Sequence, residues 1–202
     1  MVKSLVIALF CTVAAAGAVA SEFIEGQHYH QYHDEMVAVA PSVTEFFSFT
    51  CGHCYRFEQV LPELRQGLGE QVGFRQVHVD FGRAFDPELS RTLLIADVLS
   101  IKEEIKQAVF EGIHETGSVS GIDDLHQLFL DRGISAGELA QLTQEHKVDE
   151  TISQWKAYQE QTGLNWVPAL VVNDKYLVDH TSVTDQQELM SLLNYLLNKD
   201  VL

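Results

Sequence analysis

Two cysteines separated by two residues, within EFFSFTCGHCYRFEQVLPEL at 45–64, carry the plainest chemistry in this chain. A Cys-Gly-His-Cys motif could ligate a metal, staple a loop, or exchange electrons with other thiols. A zinc site ordinarily closes with four ligands, and the chain has no second cysteine pair. His53 lies between the two cysteines, badly placed to ligate alongside both. His28, His30 and His33 could supply imidazoles, but their spacing reads as a solvated strand, and no metal is expected. A disulfide enclosing only two residues constrains the unfolded chain very little, which disfavours a purely structural role. Thiol–disulfide exchange is the favoured reading, and no cofactor is expected for it.

Exchange needs a thiolate, and ordinary thiols are mostly protonated at neutral pH. The start of a helix favours negative charge through its unpaired N–H groups and its dipole. Cys51 is expected at such a start with its sulfur exposed, as the nucleophile. Cys54, one turn on, is expected to be more buried and placed to attack a Cys51 mixed disulfide. His53 adds a donor or a positive charge beside the thiolate, and Gly52 avoids crowding an incoming chain. Glu45 is out of place in the apolar run with Phe46, Phe47 and Phe49. A buried carboxyl has a raised pKa and can trade protons near neutrality. Proton relay with Cys54 is favoured over a carboxylate that escapes to water at a sheet edge.

A second clue lies downstream in NWVPALVVNDKY. Pro168 cannot donate to a sheet ladder and so belongs at a strand start or bulge. A cis Val167–Pro168 bond would set the Val167 backbone against the disulfide, where an extended substrate could pair with it as an added strand.

The elements that must position these residues can be read from periodicity. Met36–Val39 and 43–49 have strand character, the second as a central buried strand. Tyr55, Phe57, Val60, Leu61 and Leu64 recur at helical spacing, with a kink predicted at Pro62. Residues 72–79 alternate as a strand, which completes β-α-β with the cysteines at the strand-to-helix junction. From 85 to 158 the pattern is helical, broken by glycines, with Ser120, Asp123 and Ser135 as candidate caps. A hairpin of 169–172 and 176–178 turns at Asn173-Asp174, and a last helix covers 185–198.

Composition limits what the chain acts on. The 202 residues hold 13 basic and 29 acidic side chains, a net charge of −16, which argues against nucleic-acid or anionic-membrane partners. Residues 1–20 have the basic start, apolar run and Ala18-Val19-Ala20 ending of a cleaved secretory signal. Their alanine- and glycine-rich second half disfavours a membrane anchor, and Phe10 before Cys11 disfavours a lipoprotein site. A mature chain starting near Ser21 keeps Cys51 and Cys54 alone of the three cysteines.

In order, spacing and length, EFFSFTCGHCYRFE, FEGI at 110–113 and VPALVVNDKY resemble the DsbA-type thiol:disulfide oxidoreductases. The resemblance covers essentially the whole mature chain. It implies an α/β thioredoxin fold, residues 21–83 with 156–202, interrupted by an all-helical insertion at 84–155. It also implies the nucleophile at Cys51, the resolving thiol at Cys54, a thiolate-stabilising His53, the buried acid at Glu45 and the cis-proline loop at Val167 and Pro168. Implied partners are unfolded exported proteins with free cysteines and a DsbB-like, quinone-linked membrane oxidase, met by a periplasmic monomer. Two positions depart from the family pattern. Gly52 stands where proline is commonest, as in protein disulfide isomerase, and Gln76 stands where a lysine is expected to pair with the buried acid. An isomerase or reductase is the second enzymatic reading, although the chain has no room before its first strand for a dimerisation domain. A redox-independent peptide-binding module around Pro168 is the reading from another class.

Overall fold

The structure is a computed structural model that describes residues 23–32 and 40–199. The signal segment, His33 and the strand expected at 36–39 lie outside the described residues.

The sheet is organised around β2 (Ser42–Phe47), whose residues from Val43 onward are all buried. A strand covered on both faces is expected to be apolar on both, which accounts for the run of β-formers from Val43 to Phe47 that Glu45 interrupts. β2 pairs in parallel with β3 (Gly73–His78), setting Glu45 opposite Gln76. On its other side it pairs antiparallel with β4 (Ala169–Val172), setting Glu45 opposite Leu170. The chain turns at Asn173 and Asp174, with φ of +54° and +53°, and Lys175 N–H donates to the Val172 carbonyl at 3.0 Å. Two successive left-handed residues make the tight hairpin turn whose twist matches its strands, leading into β5 (Tyr176–Val178). The outer edge is β1 (Tyr29–Gln31), antiparallel to β5, with His30 exposed and Tyr29 buried. Strand order is β1-β5-β4-β2-β3.

α1 (Gly52–Phe57) begins inside the Cys-x-x-Cys motif, and α2 (Leu61–Leu68) follows after a short turn. The helix expected to kink is therefore two helices. Pro62 sits in the first turn of α2, where its missing N–H costs nothing, whereas in a continuous helix its ring would collide with the carbonyl four residues earlier.

The helical region contains α3 (Asp86–Val98), α4 (Lys102–Glu111), a π-helical turn at Gly112–Thr116, α5 (Ile122–Leu130), α6 (Ala136–Glu145) and α7 (Val148–Thr162). Ser135 caps α6 in a reciprocal box: its hydroxyl accepts from Glu138 N–H at 3.3 Å, and Glu138 accepts from Ser135 N–H at 2.8 Å. At α5 the acid that ties the entry is Asp124, not Asp123, accepting from Ser120 N–H at 2.8 Å and Gly121 N–H at 3.0 Å. The FEGI segment has a steric reason. Phe110 is core, and a Cβ on Gly112 would lie 2.4 Å from Val119 Cγ2.

α8 (Gln186–Asn198) and α2 cover one sheet face, packing Leu64, Leu192 and Leu196 on Val43 and Val172. On the other face Phe46, Val77 and Val171 meet Tyr158 and Trp155 of α7. A third core joins Phe47, Phe49 and Cys54 to Leu89, Leu93, Ile105 and Phe110 of the helical region. Trp155 belongs to both of these last two cores. α7 runs unbroken across 155–156, where the sequence reading places the end of the insertion.

Candidate active site

The loop after β2 delivers Cys51 to the N-cap position of α1, with extended φ −94° and ψ 113°. Cys51 is half-buried and Cys54, one turn later, is fully buried; both are free thiols. Cys51 Sγ–H donates to the Val167 carbonyl at 3.5 Å, and the Val167–Pro168 peptide bond is cis. The strand-to-helix junction and the start of β4 thus converge on one sulfur. Gly52 and His53 lie in the first turn of α1, with His53 exposed. A Cβ at Gly52 would meet only the Arg56 guanidinium at 3.7 Å, so no crowding within the chain requires a glycine there.

Ser48 N–H donates to Cys54 Sγ at 3.5 Å, which favours the thiolate, but burial dominates and pushes the Cys54 thiol up. The nearby charges of Cys51 and Glu45 push it in the same direction. Of the two sulfurs, Cys51 meets solvent, whereas burial holds Cys54 in its protonated form.

Glu45 is fully buried on the sheet face that carries α1. Burial, followed by the negative charge of Glu58, raises its carboxyl from 4.5 to about 8. Its Oε2 accepts from the Gln76 amide at 2.8 Å, while Oε1 finds no hydrogen-bond partner among the described residues. An acid with this pKa holds its proton at neutrality and gives it up over the range in which thiols exchange.

Three further groups complete the site. The same Gln76 nitrogen donates to Glu58 Oε1 at 2.8 Å, and the Gln76 carbonyl accepts from Lys106 Nζ at 3.0 Å. Lys106 also pairs with Glu58 and with Glu103, each at 2.8 Å, and its side chain is only 5% exposed. Burial works against its charge, but the two carboxylates hold the Lys106 ammonium above the ordinary lysine range. Sequence reading missed all three. Glu58 was within reach of it, because a residue four after Cys54 shares its helix face. Lys106 gave no local signal, since a lysine beside the apolar stripe of α4 reads as solvated.

The π-helical turn reaches over the motif from the insertion side. His114 Nε2–H donates to the Phe49 carbonyl at 2.8 Å, and its ring stacks on Tyr55 with centroids 5.1 Å apart. Tyr55 hydroxyl donates to Glu115. π-Helical turns occur often at functional sites, and this one locks the insertion onto α1.

Comparison with known proteins identifies the family. The family model described as a DSBA-like thioredoxin domain matches residues 42–195. The thiol:disulfide interchange protein DsbA of Pectobacterium carotovorum is 32% identical over 179 residues, spanning 87% of this chain and 86% of the relative. The protein of the same name from Escherichia coli K12 is 32% identical over 178 residues, spanning 86% and 85%. Among solved structures, Klebsiella pneumoniae DsbA superposes with a TM-score of 0.78 at 22% identity, covering 89% of this chain and all of that one (100%). Proteus mirabilis DsbA, solved with a non-covalently bound peptide, superposes at 0.74 with 28% identity, covering 88% and 99%. The chain belongs to the DsbA-like family of thioredoxin-fold disulfide oxidoreductases, built with a helical insertion.

Proposed function

We propose that this protein donates its Cys51–Cys54 disulfide to newly exported proteins in the periplasm. The observation that carries the reading is the asymmetry of the pair: a half-buried Cys51 beside the Val167 carbonyl, and a fully buried Cys54 on the helix face shared with Glu58. A substrate thiolate attacks Cys51 Sγ of the oxidised protein, and Cys54 leaves as a thiolate that takes a proton from Glu45. The substrate's second thiolate then attacks its own sulfur in the mixed disulfide and releases Cys51. Two electrons pass from substrate to enzyme, and one disulfide is exchanged for another.

Val167 and Pro168 supply the backbone edge for an extended substrate, and the non-covalently bound peptide of the Proteus mirabilis relative supports a peptide as that substrate. Gly52 leaves room for it, and His53 offers a donor to the Cys51 thiolate. The signal-like first 20 residues and a chemistry that needs an oxidising compartment support periplasmic location. Reoxidation falls to a DsbB-like membrane oxidase, and the protein works as a monomer whose sheet unit and helical insertion form the two walls of the site.

The test is oxidation of a reduced, unfolded two-cysteine protein by the full chain. Cys51→Ser is expected to abolish oxidation. Cys54→Ser is expected to accumulate a mixed disulfide through Cys51. Undiminished assistance to folding by Cys51→Ser would replace the oxidase by a redox-independent peptide binder.

A further inference from the structure

We infer that Lys106, carried by the insertion, is the cation that serves the buried acid Glu45, acting through the side-chain amide of Gln76. The inference rests on the reading that Glu45 exchanges a proton with Cys54. In the register of β2 with β3, position 76 lies directly opposite Glu45. A lysine there would meet the acid itself; this chain has an amide there, and brings its cation from α4.

The hydrogen bonds show what Lys106 does. Its three ammonium protons go to Gln76 Oε1 at 3.0 Å, Glu58 Oε2 at 2.8 Å and Glu103 Oε2 at 2.8 Å. An ammonium only donates, so it fixes the Gln76 carbonyl towards itself. The amide nitrogen is thereby turned to the two carboxyls, donating to Glu45 Oε2 and Glu58 Oε1 at 2.8 Å each. A flipped amide would set its oxygen against both acids and its N–H groups against the ammonium. Lys106 therefore selects the rotamer that holds Glu45 and leaves Oε1 as the oxygen free to carry the proton. Its charge also offsets the negative charge of Glu58, which lies close enough to push the buried acid up. Lys106 is a positioning residue; it touches neither sulfur.

The groups facing Glu45 from the packed elements are Cys54 of α1, Glu58 just after it, and Lys106 and Glu103 of α4, while His78 of β3 lies opposite Phe47 and bonds Ser90. β4 contributes Leu170, which is uncharged. Glu103 is in turn flanked by Lys102 and Arg65.

The step to measure is resolution of the mixed disulfide between Cys51 and glutathione. Glu45 carboxylate takes the proton of Cys54, the Cys54 sulfur attacks Cys51, and glutathione leaves as its thiolate with the electron pair. The reduced full chain is mixed with glutathione disulfide, and decay of the adduct is followed by acid quench and mass spectrometry from pH 5 to 9. The wild-type rate is expected to rise with pH through a step assigned to Glu45, and Glu45→Gln to lack that step. Lys106→Met is expected to move the step upward by roughly 1.5–2 pH units, the order for losing a unit charge an amide length away at an effective dielectric near 20. Lys106→Gln, which keeps a donor without charge, gives the same reading if the methionine variant folds poorly. Adding Gln76→Lys to Lys106→Met is expected to return the step towards its wild-type position, an effect that a merely structural role for Lys106 would not produce. If Lys106→Met and Lys106→Gln superpose on wild type while Glu45→Gln loses the step, Lys106 has no such role and the relay reading stands. If Glu45→Gln keeps the step, the relay reading fails and this inference falls with it.

Discussion

Replacing Glu45 by glutamine should change the pH dependence of folding stability over one identifiable window. The glutamine keeps the size of the side chain and the acceptor for Gln76 but has no proton to lose. Glu45 has an ordinary value of 4.5 and a folded value of about 8. Between these the unfolded chain has given up the proton and the folded protein retains it. Folded stability therefore falls as pH rises, by roughly 1.4 kcal/mol per unit. His78 works the other way. Burial lowers it from 6.5 to about 3, so between those values the unfolded chain binds a proton that the fold refuses, and stability rises with pH. The two slopes cancel between 4.5 and 6.5, and above 6.5 only Glu45 is left. The depressed carboxylates Asp124, Glu138 and Glu188 act on the acid side, and Cys54 and Lys106 act above 9.0 and 10.5. The reduced wild-type protein should therefore show a plateau, then lose about 2 kcal/mol from pH 6.5 to 8. Glu45→Gln should lose almost nothing over that interval. Urea titrations of both proteins at half-unit pH intervals measure the difference, with the m-value checked for constancy. Parallel curves from pH 6.5 to 8 would refute a buried, protonated Glu45.

Gly112→Ala should cost roughly 1–3 kcal/mol by forcing its Cβ into Val119, and adding Val119→Ala should recover much of that in thermal unfolding. Ser135→Ala removes one half of the α6 capping box and should cost about 1 kcal/mol in urea titrations, with no change in the rate of thiol exchange. If the Cys51 thiolate is stabilised by the fold, the reduced protein should unfold at higher denaturant than the oxidised protein; the opposite order would remove the case for a strong oxidant and favour the isomerase or reductase reading.

Much of the site was legible because its parts are local. The strand, the motif and the helix start are contiguous, so period and spacing place Cys51 and Cys54 without knowledge of the rest. Glu45 was legible as a conflict, an acid in a run of phenylalanines. The hairpin announced itself through Asn173-Asp174, whose side chains tolerate the left-handed region. Lys106 was not legible, because its role depends on a contact with β3 thirty residues away in sequence. A solvated lysine and a buried one look alike along a helix until the opposing acids are known. The edge strand at Tyr29–Gln31 was legible only as the solvated strand read from the spacing of His28, His30 and His33; three residues give too little alternation to set its bounds, and pairing with β5 defines them. The break before Pro62 was foreseen as a bend, since sequence tells where a helix cannot continue but not whether the chain resumes in line.

The single helix α7 has a mechanical consequence. Its half-buried Trp155 packs against the insertion's core and the sheet's core at once, and one turn later Tyr158 lies against Phe46, with ring centroids 4.9 Å apart. Swinging the insertion away from the sheet would require bending that helix or peeling an aromatic ring off a buried strand. The insertion is thus a stiff wall and not a hinged flap. The loop at 80–85 that leads into it is tied to the motif as well, since Arg83 reaches Thr50 beside Cys51.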